Sequence, residues 1–576
     1  MTRSLTLGVH VGHDAAAAVF ADSRLVHAVE EERYSRVKSQ GGCPWKSIEA
    51  GLEAAGPGEV RTIALTWKLA PYLECRRALA EHARSVGNDA WWGKRQREIS
   101  TMNEAVEALR TRFPRARVLD FPHHHAHLAC AVHFGPRAPA RRQAPVLGVV
   151  ADALGDAEAL TAYSAADPGS LLGSPRVLLT RPPEQSVGFF YKRAAESFGF
   201  AGSEAPGHLM SLSGCARRDA SPVAQLRQGL FGRDAEGFLQ FRQDGFDPFK
   251  GHWETAARCF STALLAELGL DTPCPRERLV ERAAQAQAIQ AVVEDYLEEL
   301  LRHLVSEHRP GTVYLSGGVF LNCIALEKLA RTFAGVDLVV CPVKKDSGTA
   351  IGAAVLAEAA ATARAGLFGG ASSLRLGTAV TGDEAEWKAS GRYEVFQSPS
   401  MQISELANDL RRGEIVALVD GRGEFGPRAL GARSILADPS NEALSARLNA
   451  TVKCRYPFQP FAGAFLAEPF REQHPGIPSD NYMSYAVRFG TEGSHGLAGI
   501  LHRDGSCRVQ LVPGGEGSVL CRLLEELRAR GVRPVVLNTS LNARGEPMPR
   551  AAADVLKTCA GLGLGRIYTP VGRWTP

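Results

Sequence analysis

Residues 5–14, LTLGVHVGHD, open the chain with a strand pattern that ends in a turn at Gly12-His13-Asp14. Apolar and polar side chains alternate before the turn, which is typical of a β-strand. Residues 15–20 and 24–30 are predicted to be two further strands. We therefore expect the chain to begin with a three-stranded β-meander.

A similar device recurs about 140 residues later. Residues 146–151, VLGVVA, are predicted to form an apolar strand that ends at Asp152. A turn at Leu154-Gly155-Asp156 separates it from a second strand near residues 158–164. Two units of strand, acidic turn and strand at this separation indicate a duplicated fold.

Residues 313–322, VYLSGGVFLN, predict a strand, a Gly-Gly turn and a helix over residues 321–333. A strand at 336–341 and an Ala-rich helix at 349–363 should follow. Two hairpins and a Gly-Gly turn before a helix are the plan of the actin-like ATPases, in which the hairpin turns flank the phosphates and the Gly-Gly turn packs on the adenosine. This analogy of fold assigns no function by itself.

Residues 365–390 are rich in Gly, Ala, Ser and Thr, so we interpret them as an interdomain connection, with 371–390 as the linker. The prediction is an α/β protein with domains at 1–370 and 391–576. The second domain should contain a helix at 402–412, a strand at 414–419, a strand at 484–489, a helix at 518–530 and a strand at 534–537.

Composition excludes several classes of protein. The 576 residues are 45% hydrophobic and 22% charged, which is typical of a globular protein and not of a disordered or coiled-coil chain. The net charge is only +4, so neither a nucleic-acid partner nor a membrane partner is predicted. The 12 cysteines include no C-x-x-C pair. Without a signal peptide or an apolar membrane span, we expect a cytoplasmic protein with reduced thiols.

Residues 122–127, PHHHAH, form the densest histidine cluster. His123 and His127 are four residues apart, so on a helix both imidazoles share one face and can chelate one metal. Asp152 and Asp346, at predicted strand ends, are candidate further ligands. Such a set suits Fe(II), Mn(II) or Zn(II) better than calcium. The Glu of H-E-x-x-H is absent, and a solvated histidine run is the alternative.

Residues 421–426, GRGEFG, match G-x-G-x-x-G, but the basic residues that follow favour an anion over a dinucleotide. Lys453 and Arg508 are further cations in polar contexts, and Asn538-Thr539-Ser540-Leu541-Asn542 ends a strand. Arginine, lysine, serine and backbone amides are the chemistry of phosphate capture. Exposed charges and turn formers remain the alternative interpretation.

Two residues have alternative roles of their own. Asn322 either caps the predicted helix or contacts a nucleotide beside the Gly-Gly turn. His13 is either a turn residue or a group that positions or protonates a reacting atom near pH 7.

Taken together, these segments resemble the O-carbamoyltransferase family of natural-product biosynthesis, which includes nodulation-factor, cephalosporin, aminoglycoside and ansamycin carbamoyltransferases. The resemblance covers nearly the whole chain. Its motifs are Gly12-His13-Asp14-Ala15, Glu30 to Arg36, His123 to His127, Ser186 to Tyr191, Gly317-Gly318-Val319, Gly426 to Gly431, Lys453 and Asn538-Thr539-Ser540.

The resemblance implies an actin-like (ASKHA) N-terminal domain, related to the tRNA threonylcarbamoyl transferases, and a YrdC-like C-terminal domain. It implies that the YrdC-like domain converts ATP, with Mg²⁺, and carbamoyl phosphate to carbamoyladenylate. The actin-like domain would then transfer the carbamoyl group to a hydroxyl of a small-molecule acceptor.

The resemblance also implies site residues. A metal, iron by analogy, would be bound by His123, His127, Asp152 and Asp346. Acceptor activation would fall to His13 and Asp14. Phosphates of ATP and carbamoyl phosphate would be held by Lys453, Arg508, Ser540, Asn542, Arg428 and Arg433, and the nucleotide would lie beside Gly317, Gly318 and Asn322.

Two departures from the family pattern are Gln459, where many relatives have Arg, and His208, where many have Lys. A tRNA threonylcarbamoyl-type transferase is one alternative, but it would need an extended basic surface. A non-enzymatic actin-like ATP-binding module is another, but it would leave the histidine pair and the second domain without a role. The sequence does not identify the acceptor, and it is compatible with a homodimer.

Overall fold

The computed structural model describes residues 3–85, 87–136, 144–242, 244–247, 259–260, 262–267, 269–270, 274–362, 373–380 and 384–576. The chain divides into two compact units. The first comprises Met1–Glu31 and Gln40–Ser372, and the second comprises Glu32–Ser39 and Ser373–Pro576. No helix in the described part of the chain is both long and apolar enough to cross a lipid bilayer.

The strands up to residue 340 are β1 (Ser4–His10), β2 (Ala16–Ala21), β3 (Arg24–Glu30), β4 (Glu59–Leu65), β5 (Arg117–Asp120), β6 (Val146–Ala151), β7 (Leu160–Ala165), β8 (Arg176–Arg181), β9 (Phe231–Arg233), β10 (Leu239–Phe241), β11 (Thr312–Ser316) and β12 (Asp337–Val340). The helices over the same range and just beyond it are α1 (Glu32–Ser35), α2 (Trp45–Ala55), α3 (Leu69–Ser85), α4 (Asp89–Arg112), α5 (His123–Phe134), α6 (Pro168–Gly173), α7 (Val187–Ser197), α8 (Ala205–Ser213), α9 (Ala220–Leu230), α10 (Thr262–Glu267), α11 (Ala283–His308), α12 (Cys323–Thr332) and α13 (Ser347–Thr362).

Two sheets of the first unit repeat one topology. Their strand orders are β3-β2-β1-β4-β5 and β8-β7-β6-β11-β12. In each, the first three strands in chain order form an antiparallel meander, and the other two run parallel to its first strand. The predicted duplication is therefore confirmed, and the predicted strands begin and end within about two residues of the observed ones.

In the first unit, the candidate metal ligands are brought together where helices α5 and α13 pack against each other. A Cβ added to Gly352 of α13 would lie 1.8 Å from the carbonyl oxygen of Ala126 in α5, so only glycine permits this crossing. A Cβ on Gly8 would lie 1.8 Å from the carbonyl oxygen of Ala350, so α13 also lies directly on β1. The helix that carries the histidines is thereby held against the helix that follows Asp346.

The strands of the second unit are β13 (Arg375–Ala379), β14 (Arg392–Val395), β15 (Val416–Val419), β16 (Arg422–Glu424), β17 (Arg433–Ala437), β18 (Ala462–Leu466), β19 (Ala486–Arg488), β20 (Ser506–Val512), β21 (Val535–Ser540), β22 (Ile567–Tyr568) and β23 (Gly572–Thr575). Its helices beyond residue 373 are α14 (Glu384–Ala389), α15 (Pro399–Arg411), α16 (Glu442–Arg447), α17 (Ala467–Gln473), α18 (Val519–Ala529) and α19 (Ala552–Gly561), and a π-helical segment spans Leu448–Lys453.

Within its described residues the second unit has a nine-stranded mixed sheet, in the order β14-β23-β22-β15-β17-β21-β18-β20-β19. Helices α15 and α18 bury leucines such as Leu406 and Leu524 against it. The expected separate α/β domain is thus observed.

Three features differ from the sequence analysis. The segment Glu32–Ser39, assigned there to the first domain, belongs to the second unit. The predicted linker at 371–390 contains β13 and α14 of the second unit, while residues 371–372 and 381–383 lie outside the described part. The G-x-G-x-x-G match contains strand β16, which pairs antiparallel with β13, and no helix opens at its end as a dinucleotide fold requires.

Candidate functional site

Helix α5 begins at His123. The residue before it, Pro122, is the N-cap and has a non-helical backbone conformation. The carboxylate of Asp156 accepts a hydrogen bond from the His123 backbone N–H at 2.8 Å, which satisfies one of the free donors of the first turn. The side chains of both His123 and His127 are fully buried. The predicted helix is confirmed, and the histidines are not a solvated run.

The four residues of the predicted ligand set meet at one point. One ligand atom from each of His123, His127, Asp152 and Asp346 lies within 4.8 Å of the others. His127 Nε2 is 3.2 Å from Asp152 Oδ2 and 3.6 Å from Asp346 Oδ1. His123 Nε2 is 3.9 Å from Asp152 Oδ2 and 3.7 Å from Asp346 Oδ1.

The buried polar atoms of this cluster have unused bonding capacity. His123 Nε2, His127 Nε2 and Asp152 Oδ2 are each buried and make no hydrogen bond of acceptable geometry with the described residues. Burial alone would lower the pKa of His127, but the carboxylates of Asp152 and Asp346 raise it to about 9. The cluster therefore favours a positive charge among its ligand atoms, and two imidazoles with two carboxylates fit a divalent transition metal.

The two predicted acceptor-activating residues have different surroundings. His13 is largely exposed, and its Nε2 is 3.5 Å from Asp346 Oδ2. Both carboxylate oxygens of Asp14 lie 3.1 Å from Lys345 Nζ. Burial raises the pKa of Asp14, but Lys345 and His13 together hold that pKa below its usual value. Asp14 is thus a charge partner of Lys345, and its role in acceptor activation stays a prediction.

The Gly-Gly turn lies against the end of β6. Gly317 has a φ of 98°, and a Cβ there would be 2.3 Å from the carbonyl oxygen of Ala151. A Cβ on Gly318 would be 3.0 Å from Asp152 Oδ1. Both positions therefore require close backbone approach beside a candidate metal ligand.

Asn322 is the N-cap of α12, as one of its two interpretations predicted. Its Oδ1 accepts hydrogen bonds from the Ala325 backbone and from Gln290, and its Nδ2 donates to Gln290 Oε1. These bonds use most of the side chain's hydrogen-bonding capacity, and the predicted nucleotide contact stays a prediction.

In the second unit, hydrogen bonds connect three further residues of the predicted phosphate site, Lys453, Ser540 and Asn542. Lys453 Nζ donates to the carbonyl oxygens of Ser540 and Asn542, each at 2.8 Å, and to Asn542 Oδ1 at 2.9 Å. Lys453 is only 3% exposed. A lysine ammonium has three donors, so an anion must replace one of these oxygens in order to bind it.

The three predicted arginines are placed separately. Arg428 lies in the loop between β16 and β17, and Arg508 is a half-buried residue of β20. Arg433 is 2% exposed, and its guanidinium donates to four backbone carbonyls, those of Pro549, Gly421, Ala432 and Thr378. These bonds give Arg433 a structural role, and its predicted contact with a phosphate stays a prediction.

The two departures from the family pattern have protein partners. Gln459 Oε1 accepts a hydrogen bond from the Tyr456 backbone N–H at 3.1 Å. His208 is buried in α8, where its ring meets Phe200 edge-on.

Sequence reasoning missed Thr66, Trp67, Asp156 and Glu424. The first three contact His123, and Glu424 accepts a hydrogen bond from the Arg433 backbone N–H at the end of the loop. Asp156 was noticed only as a turn former, although a second acidic residue after Asp152 in the turn of a buried hairpin is a detectable signal.

Comparison with known proteins adds independent observations. Two family descriptions match the chain, "Carbamoyltransferase N-terminus" over residues 5–355 and "Carbamoyltransferase C-terminus" over residues 407–569. The nodulation protein NolNO of Sinorhizobium fredii is 27% identical over 564 residues, covering 95% of this chain and 76% of that protein.

A second relative matches over a shorter length. The 3'-hydroxymethylcephem-O-carbamoyltransferase of Amycolatopsis lactamdurans is 33% identical over 267 residues, covering 46% of this chain and 49% of that protein. Among solved structures, HypF is 12% identical with a TM-score of 0.30, covering 62% of this chain and 55% of that one. This structural similarity is too low to assign a fold.

Proposed function

The chain belongs to the carbamoyltransferase family and is a carbamoyltransferase, and from that premise we propose an ATP-dependent O-carbamoyltransferase that acts on a hydroxylated natural product. The carbamoyl group would come from carbamoyl phosphate: water would hydrolyse it to carbamate and phosphate, and a carbamate oxygen would then displace pyrophosphate from the α-phosphate of ATP to give carbamoyladenylate. Transfer to the acceptor hydroxyl would then release AMP. The cephem relative, which by its name acts on a hydroxymethyl group, supports an oxygen acceptor.

We propose that the first unit is an actin-like transfer domain and the second a YrdC-like domain that forms the adenylate. The repeated strand order of the two sheets supports the first assignment. The mixed sheet and the buried Lys453 of the second unit support the assignment of adenylate formation to a separate domain.

The observation that carries the proposal is the buried cluster of two imidazoles and two carboxylates in the first unit. Its unpartnered nitrogen and oxygen atoms fit a divalent transition metal such as Fe(II), held by His123, His127, Asp152 and Asp346. When bound, such a metal supplies Lewis-acid chemistry, which neutralises negative charge on a leaving phosphate.

The residues of the chain itself account for proton transfer. His13 stands beside this cluster with Nε2 close to Asp346. A carboxylate near one ring nitrogen orients the imidazole, so Nδ1 would accept the proton of the acceptor hydroxyl. Exclusion of water matters here, because water would hydrolyse the adenylate.

In the second unit, Lys453, Ser540 and Asn542 form the proposed phosphate site, with Arg508 and Arg428 as additional cations for carbamoyl phosphate and Mg²⁺-ATP. Exchange of one protein oxygen on Lys453 for a phosphate oxygen would keep the ammonium fully bonded. We also propose a cytoplasmic location, since none of the 12 cysteines, all in the described part of the chain, is in a disulfide.

Product analysis tests the proposal. The protein should be incubated with ATP, Mg²⁺, carbamoyl phosphate and a panel of hydroxylated natural products, and the products identified by mass spectrometry. We expect an acceptor heavier by one carbamoyl group, together with AMP. Pyrophosphate release without a carbamoylated product from any acceptor would leave only the first half-reaction supported, and no pyrophosphate release would refute the proposal.

A His13→Ala variant tests the proton acceptor. It should still release pyrophosphate from ATP and carbamoyl phosphate but transfer poorly, because general bases contribute about 10²–10⁴-fold to rate. Replacement of the exposed His495 in the second unit is the matched control and should leave transfer unchanged. Normal transfer by His13→Ala at saturating acceptor would remove His13 from the mechanism.

A further inference from the structure

The carboxyl group of Asp156 connects the first residue of α5 to Lys68, which lies after the end of β4. Asp156 Oδ2 accepts from the His123 backbone N–H, and its Oδ1 accepts from the Lys68 backbone N–H, both at 2.8 Å. Asp156 is only 2% exposed, so water does not compete for these bonds. The backbone position of His123 is therefore fixed to the segment that follows β4.

The ring of His123 is held by the residues just before Lys68. Its Nδ1 donates to the carbonyl oxygen of Thr66 at 3.2 Å, which leaves the lone pair on Nε2 for the cluster. The Trp67 ring stacks on the imidazole, with centroids 3.9 Å apart and an interplanar angle of 6°. Trp67 is fixed in turn because its Nε1 donates to the carbonyl oxygen of Val11 at 2.8 Å.

The turn that carries Asp156 has a support of its own. One guanidinium nitrogen of buried Arg76 donates to the carbonyl oxygens of Gly155 and Asp156 at 3.1 and 2.9 Å. By contrast, the contact of His127 Nδ1 is with Ser316 Oγ at 3.5 Å, at the limit of a hydrogen bond. The strong restraints thus act on His123.

We propose that Asp156 and Trp67 are positioning residues that aim His123 Nε2 at the two carboxylates before a divalent transition metal binds. The inference rests on the proposed metal site. Asp156 fixes the backbone of His123, and Trp67 fixes the plane of its ring. Metal affinity depends on such pre-arrangement, because a ligand that is already oriented loses little freedom on binding.

Titration with Co(II), whose visible absorption bands report the geometry of its ligands, tests this directly. Asp156→Asn keeps the shape of the side chain but places its NH₂ group opposite one of the two backbone N–H groups, so that one hydrogen bond is lost. We expect Co(II) to bind about 10- to 100-fold more weakly, with altered bands. Asp120→Asn is the matched control, since Asp120 accepts from the Leu69 backbone N–H nearby but has no such bond to α5, and it should retain the wild-type affinity and bands.

The outcomes separate the two proposals. A folded Asp156→Asn protein with the affinity and bands of the wild type would overturn the positioning role while leaving the metal site standing. A wild-type protein that binds no Co(II) would overturn the metal site itself, and the positioning role with it. Circular dichroism of the metal-free proteins checks folding. If Asp156→Asn does not fold, Trp67→Leu should show the same weakened binding, and wild-type binding by that variant would refute the inference.

Discussion

At the scale of single residues, the cluster joins two histidines one helical turn apart to carboxylates from distant parts of the chain. The spacing of His123 and His127 is enough to place them on one face of a helix. Asp152 follows β6, and Asp346 immediately precedes α13. The proposed metal site therefore depends on the packing of α5 against its neighbours, and it can be tested one ligand at a time.

Replacement of His123 or His127 by alanine should lower metal affinity tenfold or more, because each removes one of four ligands. Elemental analysis of the purified protein measures the occupancy. His125→Ala is a matched control from the same helical turn, since His125 Nε2 bonds to the carbonyl oxygen of Leu171 and takes no part in the cluster. Full occupancy in the His123→Ala, His127→Ala double variant would contradict the site.

A second residue-scale prediction concerns His133, which is buried at the end of α5 between Phe20 and Phe134. Burial lowers the pKa of His133 from 6.5 to about 4. The unfolded chain therefore takes up a proton at higher pH than the folded protein. The free energy of unfolding should fall as pH decreases from about 6.5 to about 4, by on the order of 3 kcal/mol from this group.

Urea unfolding at several pH values measures this effect. His133→Leu keeps the site apolar and removes the titrating group, so its stability should decrease less over the same interval than that of the wild type. Parallel pH profiles for the two proteins would show that His133 is not buried in its neutral form.

At the scale of elements, the loop between β16 and β17 is shaped by one buried carboxylate. Glu424 Oε1 accepts from the backbone N–H groups of Leu430, Ala432 and Arg433 at 2.8, 2.7 and 3.1 Å. Glu424 is 3% exposed and lies close to the buried Arg433 guanidinium. This loop carries Arg428, so its shape sets the position of that cation.

Glu424→Ala should destabilise the second unit by at least about 2 kcal/mol, because it leaves buried backbone donors without an acceptor. Denaturant unfolding followed by a signal from the second unit measures this difference. Glu472→Ala, an exposed glutamate of α17, is the control and should change stability by no more than about 0.5 kcal/mol. Equal stabilities for the two variants would show that the loop keeps its shape without Glu424.

At the scale of the whole molecule, each unit contains its own cluster of chemically active side chains. The first unit holds the four candidate metal ligands, and the second holds Lys453 with Ser540 and Asn542. Two separate clusters fit the proposed reaction in two steps, in which the adenylate would be formed at one cluster and used at the other. The two half-reactions should therefore fail independently.

Lys453→Ala should impair adenylate formation tenfold to a hundredfold or more, since a charge-assisted phosphate contact contributes about 1.5–3 kcal/mol. Supplied with synthetic carbamoyladenylate, the same variant should carbamoylate its acceptor at a near-normal rate. Variants of His123, His127 or Asp346 should fail with the supplied adenylate. Pyrophosphate release and product formation are the two measurements.

The exposed Lys557 of α19 provides a matched control, and Lys557→Ala should retain both half-reactions. If Lys453→Ala is as inactive with the adenylate as with ATP and carbamoyl phosphate, Lys453 does not act in the first step alone, and the two-site division is wrong for this protein.

Local patterns in the amino-acid sequence were enough to predict many of the strands and helices and the repetition of the strand–turn–strand unit. Alternating residues at 5–11 and the apolar run at 146–151 specified strands whose ends are within about two residues of those observed. The i, i+4 histidines and the two aspartates, one after β6 and one before α13, are the predicted donor set, and the structure brings them close together. These features were readable because strand period, helix period and turn residues are local properties of the chain.

The hydrogen-bond partners of the polar residues became apparent only in the folded structure. Arg433, Asn322 and Asp14 carry the residue types of a site, but carbonyl, amide and lysine partners from elsewhere in the chain occupy them. Asp156 and Trp67 contact His123 only in the folded structure, because these residues are far apart in the sequence. Burial makes each unsatisfied polar group costly, so long-range hydrogen bonding, which no local pattern encodes, determines which groups are used for structure.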